Sequence, residues 1–280
     1  ARWRATLHGV RTFPRVRGAR AVVTPRADRF PLRDGGLART ILRAVPAPGK
    51  PGRLEDDEMP FEDRRAAGKA LAPRLHPVLA AECAAASPVL LALPRGGVPV
   101  GLPLACALGV PLDLLLVRKL GAPGQPELAL GAVVEGDPPI LVLNEDIVTG
   151  LGVTPAAIEA MRERELAEIA RRRERFGAPP PPSLDGRCAV VVDDGVATGA
   201  TAAVALRAAR RAGAARVVLA VPVIAADVAA RFRADGVAVV ALREPAHMGA
   251  VGAFYRDFHQ LDDAEVAALL AAAPPRAEVA

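Results

Sequence analysis

The sequence predicts an α/β fold, a parallel sheet flanked by helices. Three observations carry that prediction. Apolar runs of five to eight residues alternate with helical stretches between Pro88 and Leu242, the order expected of βαβ units. The stretch Cys188–Thr201, CAVVVDDGVATGAT, reads as a buried strand, an acidic pair and a loop of small residues, and Ala202–Gly213 continues it as a helix closed by glycine. Three strand ends also carry unusual polar chemistry, and ligands of open α/β sheets bind beyond the C-terminal ends of strands.

Taken in order, Phe61 to Leu79 is expected to be an amphipathic helix, with Phe61, Ala67/Gly68, Leu71, Leu75 and Leu79 on one face. Pro73 and Pro77 predict a kink or an early end. Pro88–Leu93 reads as a strand that runs into Pro94-Arg95-Gly96-Gly97-Val98-Pro99-Val100-Gly101 and an apolar helix to Leu108. Val110–Val117 reads as a strand ending at Arg118-Lys119. Leu120–Leu130, rich in Gly and Pro, is expected to be a long mobile loop. Ala132–Glu135 and Ile140–Leu143 read as a strand pair across a Gly-Asp-Pro-Pro turn.

Thr154 is expected to cap a long helix with Pro155 at its first position, running to about Phe176. Ile158, Met161, Leu166 and Ile169 would be its buried face. Its run Arg171–Arg173 suits either RNA contact or a solvated ion-pair face, and the interleaved Glu163, Glu165, Glu168 and Glu174 favour the second. Pro179–Pro182 makes a rigid connector. Strands at Arg216–Val223 and Val237–Leu242, separated by a helix over Ala225–Ala234, complete the sheet.

With 51% hydrophobic but only 3% aromatic residues, the core must be built from Ala, Val and Leu. No run of about 18 apolar residues occurs, so no membrane span is expected, and no secretory signal is evident. The widely spaced Cys83, Cys106 and Cys188 lie in apolar contexts. They suit buried thiols in a reducing cytoplasm better than a disulfide or zinc framework. Residues 1–57 hold 13 Lys+Arg and 5 Asp+Glu, a net of +8, whereas the remainder holds 23 and 26, a net of −3. The basic character therefore belongs to the first 58 residues, which lack any sustained period and read as disordered. They suit either a basic arm or non-native sequence, with Met59 as the expected true start of a domain at 59–272 and a tail at 273–280.

The chemistry concentrates at strand ends. Backbone N–H groups of a Gly/Thr loop at a helix N-terminus make an anion site. Gly195, Val196, Ala197, Thr198, Gly199, Ala200 and Thr201 form that loop. Asp193 and Asp194 are too close to an anion to be its ligands. Ionised carboxylates accept hydrogen bonds only, so a ribose diol, with two donors, fits them better. Arg95, Gly96 and Gly97 offer a guanidinium fork and close backbone approach for a diphosphate. Arg118 and Lys119 suit either a lid over a leaving group or a plain surface loop. The four histidines form no cluster, and neither a GxxxxGK[ST] nor a strand-following GxGxxG occurs.

The VVVDDGVATGAT stretch resembles the signature of the type I phosphoribosyltransferases, and LPRGGVPVG and VRKLGAPGQPELALGAV resemble those of a bacterial group of uncharacterised phosphoribosyltransferase-like proteins. The resemblance implies a parallel sheet with a small hood. It also implies transfer of ribose 5-phosphate from phosphoribosyl diphosphate, with inversion, to an acceptor it does not name, here expected to be nitrogenous. Asp193, Asp194, Arg118 and Lys119 would be catalytic, and Arg95 to Gly97 with Gly195 to Thr201 would bind substrate. Mg2+ would bridge substrate oxygens with indirect help from the acidic pair. A cytoplasmic location and no nucleic-acid partner are expected, and a homodimer is allowed.

One position departs from several purine-specific members, which carry an acid where this chain has Ala197, as adenine-type members do. Glu127 and Glu135 are the weak alternatives for base-side proton handling. Phe254 and Tyr255, in the aromatic stretch GAVGAFYRDFHQ, would either stack on the acceptor or seal the C-terminal helix onto the sheet. A phosphoribosyl-diphosphate sensor without turnover is the rival from another class.

Overall fold

The computed structural model describes residues 60–272. The segment 1–58 and the tail 273–280, which the sequence sets apart, lie outside the described residues.

The chain begins with α1 (Arg64–Glu82), β1 (Pro88–Ala92), α2 (Gly97–Leu108) and β2 (Leu112–Leu114). Next come β3 (Val117–Ala122), β4 (Gln125–Val134), β5 (Ile140–Leu143), a short α3 (Glu145–Gly150) and α4 (Pro155–Arg175). It then returns through β6 (Cys188–Val192), α5 (Ala200–Arg211), β7 (Arg216–Val223), α6 (Ala226–Ala234) and β8 (Ala238–Arg243). A 3-10 turn (Val251–Phe254) and α7 (Asp263–Ala271) follow.

The expected parallel sheet is present, with five strands in the order β2-β1-β6-β7-β8. Every neighbouring pair is parallel, and Val192 is in register with Ala92 on one side and Ala220 on the other. β6 is buried throughout, as a central strand covered on both faces must be. Its alternate residues serve two cores. Ala189 and Val191 pack with Ala205 and Ala209 of α5 and Phe232 of α6, while Val190 packs with Leu71 and Leu75 of α1 and Leu104 of α2. The strand order reverses direction between β1 and β6. Loops leaving these two strands therefore diverge and open a crevice between them.

A second, antiparallel sheet, β3-β4-β5, forms the expected hood. Leu120, Leu130 and Val133 of this sheet pack with Ile158, Met161 and Ile169 of α4 and with Val266 of α7. The expected strand pair is present, with Ala132 opposite Val142. Thr154 accepts from the Ala157 N–H at 3.2 Å and caps α4 as expected.

Four expectations are corrected. α1 runs through Pro73 and Pro77 to Glu82. Both prolines are exposed and sit four residues apart on the outer face, where water can satisfy the carbonyls they leave unbonded. Val110–Val117 is not one strand, because β2 ends at Leu114 and β3 starts a new sheet at Val117. Leu120–Leu130 is not a long loop. It is most of a hairpin, with Ala122 opposite Gln125 across Pro123-Gly124, and Leu120 and Leu130 are buried. The Gly/Pro content marked a tight turn and a bulged register rather than a mobile stretch. Finally, Cys83 and Cys188 are buried but joined in a disulfide, and Cys106 is exposed on α2. The pair spans 105 residues, a proximity created by α1 ending beside the start of β6.

Candidate active site

The crevice between β1 and β6 gathers two of the three chemical strand ends. Pro94 to Gly97 leaves β1, and the peptide bond between Pro94 and Arg95 is cis. The two loops touch. A Cβ on Gly97 would lie 2.4 Å from the Val192 carbonyl oxygen, and one on Gly96 would lie 2.1 Å from Asp194 Oδ2. Only glycine permits this approach, so Gly97 is set by the Val192 backbone at the end of β6 and Gly96 by the Asp194 carboxylate.

The loop after β6 enters α5 through Gly199, at φ 79°. The N–H groups of Ala197, Thr198 and Gly199 have no backbone acceptor among the described residues. The first N–H groups of α5 add to them, since no helix satisfies its own first turn. Val196 differs. It is buried, and its N–H donates to Val223 O at 2.9 Å, so it ties the loop to β7. Thr198 and Thr201 are exposed. The loop is thus anchored at Val196 and opens N–H groups at its far half.

The acidic pair is not symmetric. Asp193 Oδ1 accepts from the Asp194 N–H at 2.9 Å. Burial, and then the neighbouring Asp194 carboxylate, hold the Asp193 carboxyl well above the usual aspartate range. Burial also raises Asp194, against the downward pull of a hydrogen bond from Arg64. Arg64 Nε donates to Asp194 Oδ2 at 2.8 Å, and its Nη1 donates to His259 O at 3.0 Å. The guanidinium lies 3.8 Å from the Phe258 ring centre, where the ring quadrupole attracts a cation.

Tyr255 Oη donates to the Asp194 carbonyl oxygen at 2.5 Å. Burial, reinforced by the Asp194 charge, raises its pKa, so the phenol stays a donor. Phe254 and Tyr255 are both buried, and Tyr255 packs between Phe61 and Phe258 at ring-centre distances of 5.5 and 5.1 Å.

The remaining expected residues come from the hood. Arg118 and Lys119 lie on β3, in an ordered hairpin, and Arg118 Nε is 3.0 Å from Glu165 Oε2 of α4. Arg118 lines a shallow, solvent-open cleft together with Pro94, Leu116, Ile169, Arg172 and Thr201. Glu135 is withdrawn from proton handling. It is buried and receives two hydrogen bonds from Arg173, at 2.6 and 2.7 Å.

The arginine run departs from a single solvated face. Exposed Arg171 does pair with half-buried Glu168 at 2.6 Å. Arg173 is buried against Glu135 and Asp113 and donates to the Leu114 and Pro179 carbonyls. Arg172 turns into the cleft. Sequence reasoning missed Arg64, Arg172 and Arg173 as site or support residues. For Arg64 and Arg173 a signal existed, because each falls on the apolar stripe of its helix, with Ala67, Gly68 and Leu71 or with Met161 and Ile169. A charge on that stripe marks a buried partner.

The family model described as the phosphoribosyl transferase domain matches residues 79–248. The chain belongs to this family. Two Mycobacterium tuberculosis strains hold relatives that carry phosphoribosyl transferase as a provisional name. Each is 50% identical over 212 residues, covering 75% of this chain and 46% of the relative. The chain therefore spans about half the length of these relatives. A crystal structure of a protein from Thermus thermophilus is 43% identical, with a TM-score of 0.60, over 76% of this chain and 98% of that one. Both strand-end loops of this phosphoribosyl transferase domain lie inside the matched range. Arg64, Tyr255 and Phe258 lie outside it, so the matched range omits one side of the acidic pair's surroundings.

Proposed function

We propose that the domain transfers ribose 5-phosphate from phosphoribosyl diphosphate to a nitrogenous acceptor and releases diphosphate. The observation that supports this best is the row of N–H groups without backbone acceptors, Ala197 to Gly199, beside Asp193 and one loop away from Gly96–Gly97. The N–H row and Thr201 would hold the 5-phosphate. Asp193 would accept from a ribose hydroxyl and face the positive charge that grows at the anomeric carbon as diphosphate departs. Arg95, Arg118 and Lys119 would stabilise the departing diphosphate, so catalysis would rest on positioning and charge rather than on a base. Among the described residues no group of three His, Cys, Asp or Glu could hold a metal. A magnesium ion would take most of its oxygens from substrate and water, as this hard cation does at phosphate sites, with Asp193 and Asp194 helping only indirectly.

Diphosphate release from phosphoribosyl diphosphate, with nucleobases and other amines supplied in turn, tests the reaction. Asp193→Asn is expected to weaken binding of phosphoribosyl diphosphate roughly 10–150-fold, the range for losing a charge-assisted hydrogen bond. Unchanged affinity would remove the diol contact. A second reading is a binding module without turnover. The engagement of Asp194 by Arg64 favours it, and tight binding with no diphosphate from any acceptor would establish it.

A further inference from the structure

Three guanidiniums, one of them that of Arg172 on the cleft wall, converge on one carboxylate. Asp263, the first residue of α7, lies 3.9 Å from Arg95, 3.7 Å from Arg172 and 3.6 Å from Arg175. These separations are longer than the 2.5–3.3 Å of hydrogen-bonded pairs such as Arg162–Glu159, Arg118–Glu165 and Arg173–Asp113, so none of the three arginines is fully engaged. Arg95 belongs to the loop after β1, whereas Arg172 and Arg175 come from the last turn of α4. Arg172 and Arg118 both line the cleft, on which Thr201 of the phosphate loop also opens.

The local charge is unbalanced. Arg172 is half-buried, and burial, with Arg95 and Arg118 pushing the same way, works against its positive charge, while Asp263 and Glu168 support it. The Arg172 guanidinium carbon lies 5.4 Å from the Phe176 ring centre, a ring contact that does not satisfy its N–H groups. A protein that placed these cations together for packing alone would surround them with carboxylates, as it does for Arg173.

Resting on the phosphoribosyl-diphosphate reading, we propose that Arg172 is a further diphosphate-binding residue and that Asp263 is an internal stand-in for that anion. Asp263 holds Arg95, Arg172 and Arg175 in place until a diphosphate takes its position. The diphosphate, with more charge and more acceptor oxygens than one carboxylate, satisfies the forks that Asp263 reaches only at a distance. Arg172 comes from a helix of the hood, so filling the subsite also draws the hood's α4 and the loop after β1 onto the same ligand.

Calorimetric titration with inorganic diphosphate and, separately, ribose 5-phosphate, both with magnesium, tests the assignment. Arg172→Ala is expected to weaken diphosphate binding about tenfold or more and to leave ribose 5-phosphate unchanged. Asp263→Asn is expected to tighten diphosphate binding about three- to fivefold, the scale of removing partly exposed ion pairs, with ribose 5-phosphate again unchanged. The α7 capping box, Asp262 with Glu265, remains intact in that variant. Because the two variants move affinity in opposite directions, loss of fold cannot imitate the result. Unchanged diphosphate affinity in either variant overturns the subsite while phosphoribosyl-diphosphate binding by the wild type leaves the parent reading standing. Failure of the wild type to bind phosphoribosyl diphosphate as well overturns both.

Discussion

The two acidic neighbours of the central crevice, Asp193–Asp194, and the three arginines of α4, Arg171–Arg173, invite comparison. Both are short runs of like charge, and both fall at the end of a regular element. The acidic run keeps its members together, because a strand end and the following loop hold both in one crevice. The arginine run scatters its members. On a helix successive residues point about 100° apart, so Arg171 meets solvent, Arg172 the cleft and Arg173 the interior. A like-charge run is thus one site at a strand end and three separate environments on a helix.

Breaking the buried member of the helical run is expected to have the largest effect. Arg173→Ala would leave Asp113 and Glu135 in the interior without their shared cation, a loss of about 3–5 kcal/mol. Chemical denaturation would show it as a lowered midpoint. A change below about 1 kcal/mol would mean that the carboxylates find other partners. Arg64→Ala should cost less, about 1.5–3 kcal/mol, because its partner Asp194 also keeps water access. The same experiment at several salt concentrations should show little screening of the Arg173 loss, whose pairs are buried, and more of the Arg64 loss, whose pair is only part-buried.

A subtler test separates the two acids. The folded-state pKa of Asp193 is raised from 3.8. A raised acid contributes stability that is present below 3.8 and lost as pH climbs through the higher folded value. Asp193→Asn keeps the acceptor for the Asp194 N–H and removes the titration. Wild type should therefore lose stability relative to Asp193→Asn as pH rises above 3.8, although the variant binds phosphoribosyl diphosphate more weakly. Parallel pH profiles for the two proteins would contradict the shift. The smallest effect is expected from removing residues 1–58, whose composition carries no period; melting of the shortened chain should match the full one.

The sheet was legible because its information is local. β1, β6, β7 and β8 are each one apolar run, and Asp193 to Thr201 is continuous in the chain, whereas the run Val110–Val117 joins β2 to the start of the hood. The hood was harder for a physical reason. Gly and Pro in Leu120–Leu130 were ambiguous between a loop and a turn, and only the pairing of Leu120 with Gly131 and of Ala122 with Gln125 resolves it. Arg64 and Asp194 stand 130 residues apart, so no local pattern could join them. The aromatic stretch pointed to an acceptor wall or a helix seal but not to Tyr255 bonding the Asp194 carbonyl, and the partner that packs Tyr255 from the other side, Phe61, lies near the opposite end of the described chain.

That last contact has a consequence for how the domain can be cut. Phe61 N–H donates to Phe254 O at 2.8 Å, Arg256 N–H returns to Phe61 O at 2.8 Å, and Asp257 N–H reaches Glu62 O at 2.9 Å. The start of the described chain is stitched backbone to backbone to the segment Phe254–Asp257, whose Tyr255 bonds the Asp194 carbonyl. A fragment chosen by the sheet alone, from β1 to β8, would retain every strand and both phosphate-side loops. It would lack Arg64 and Tyr255, leaving Asp194 without its guanidinium and its carbonyl without the phenol. The smallest working unit is therefore fixed by this seam and extends from Phe61 at least to His259, well beyond what the central sheet requires.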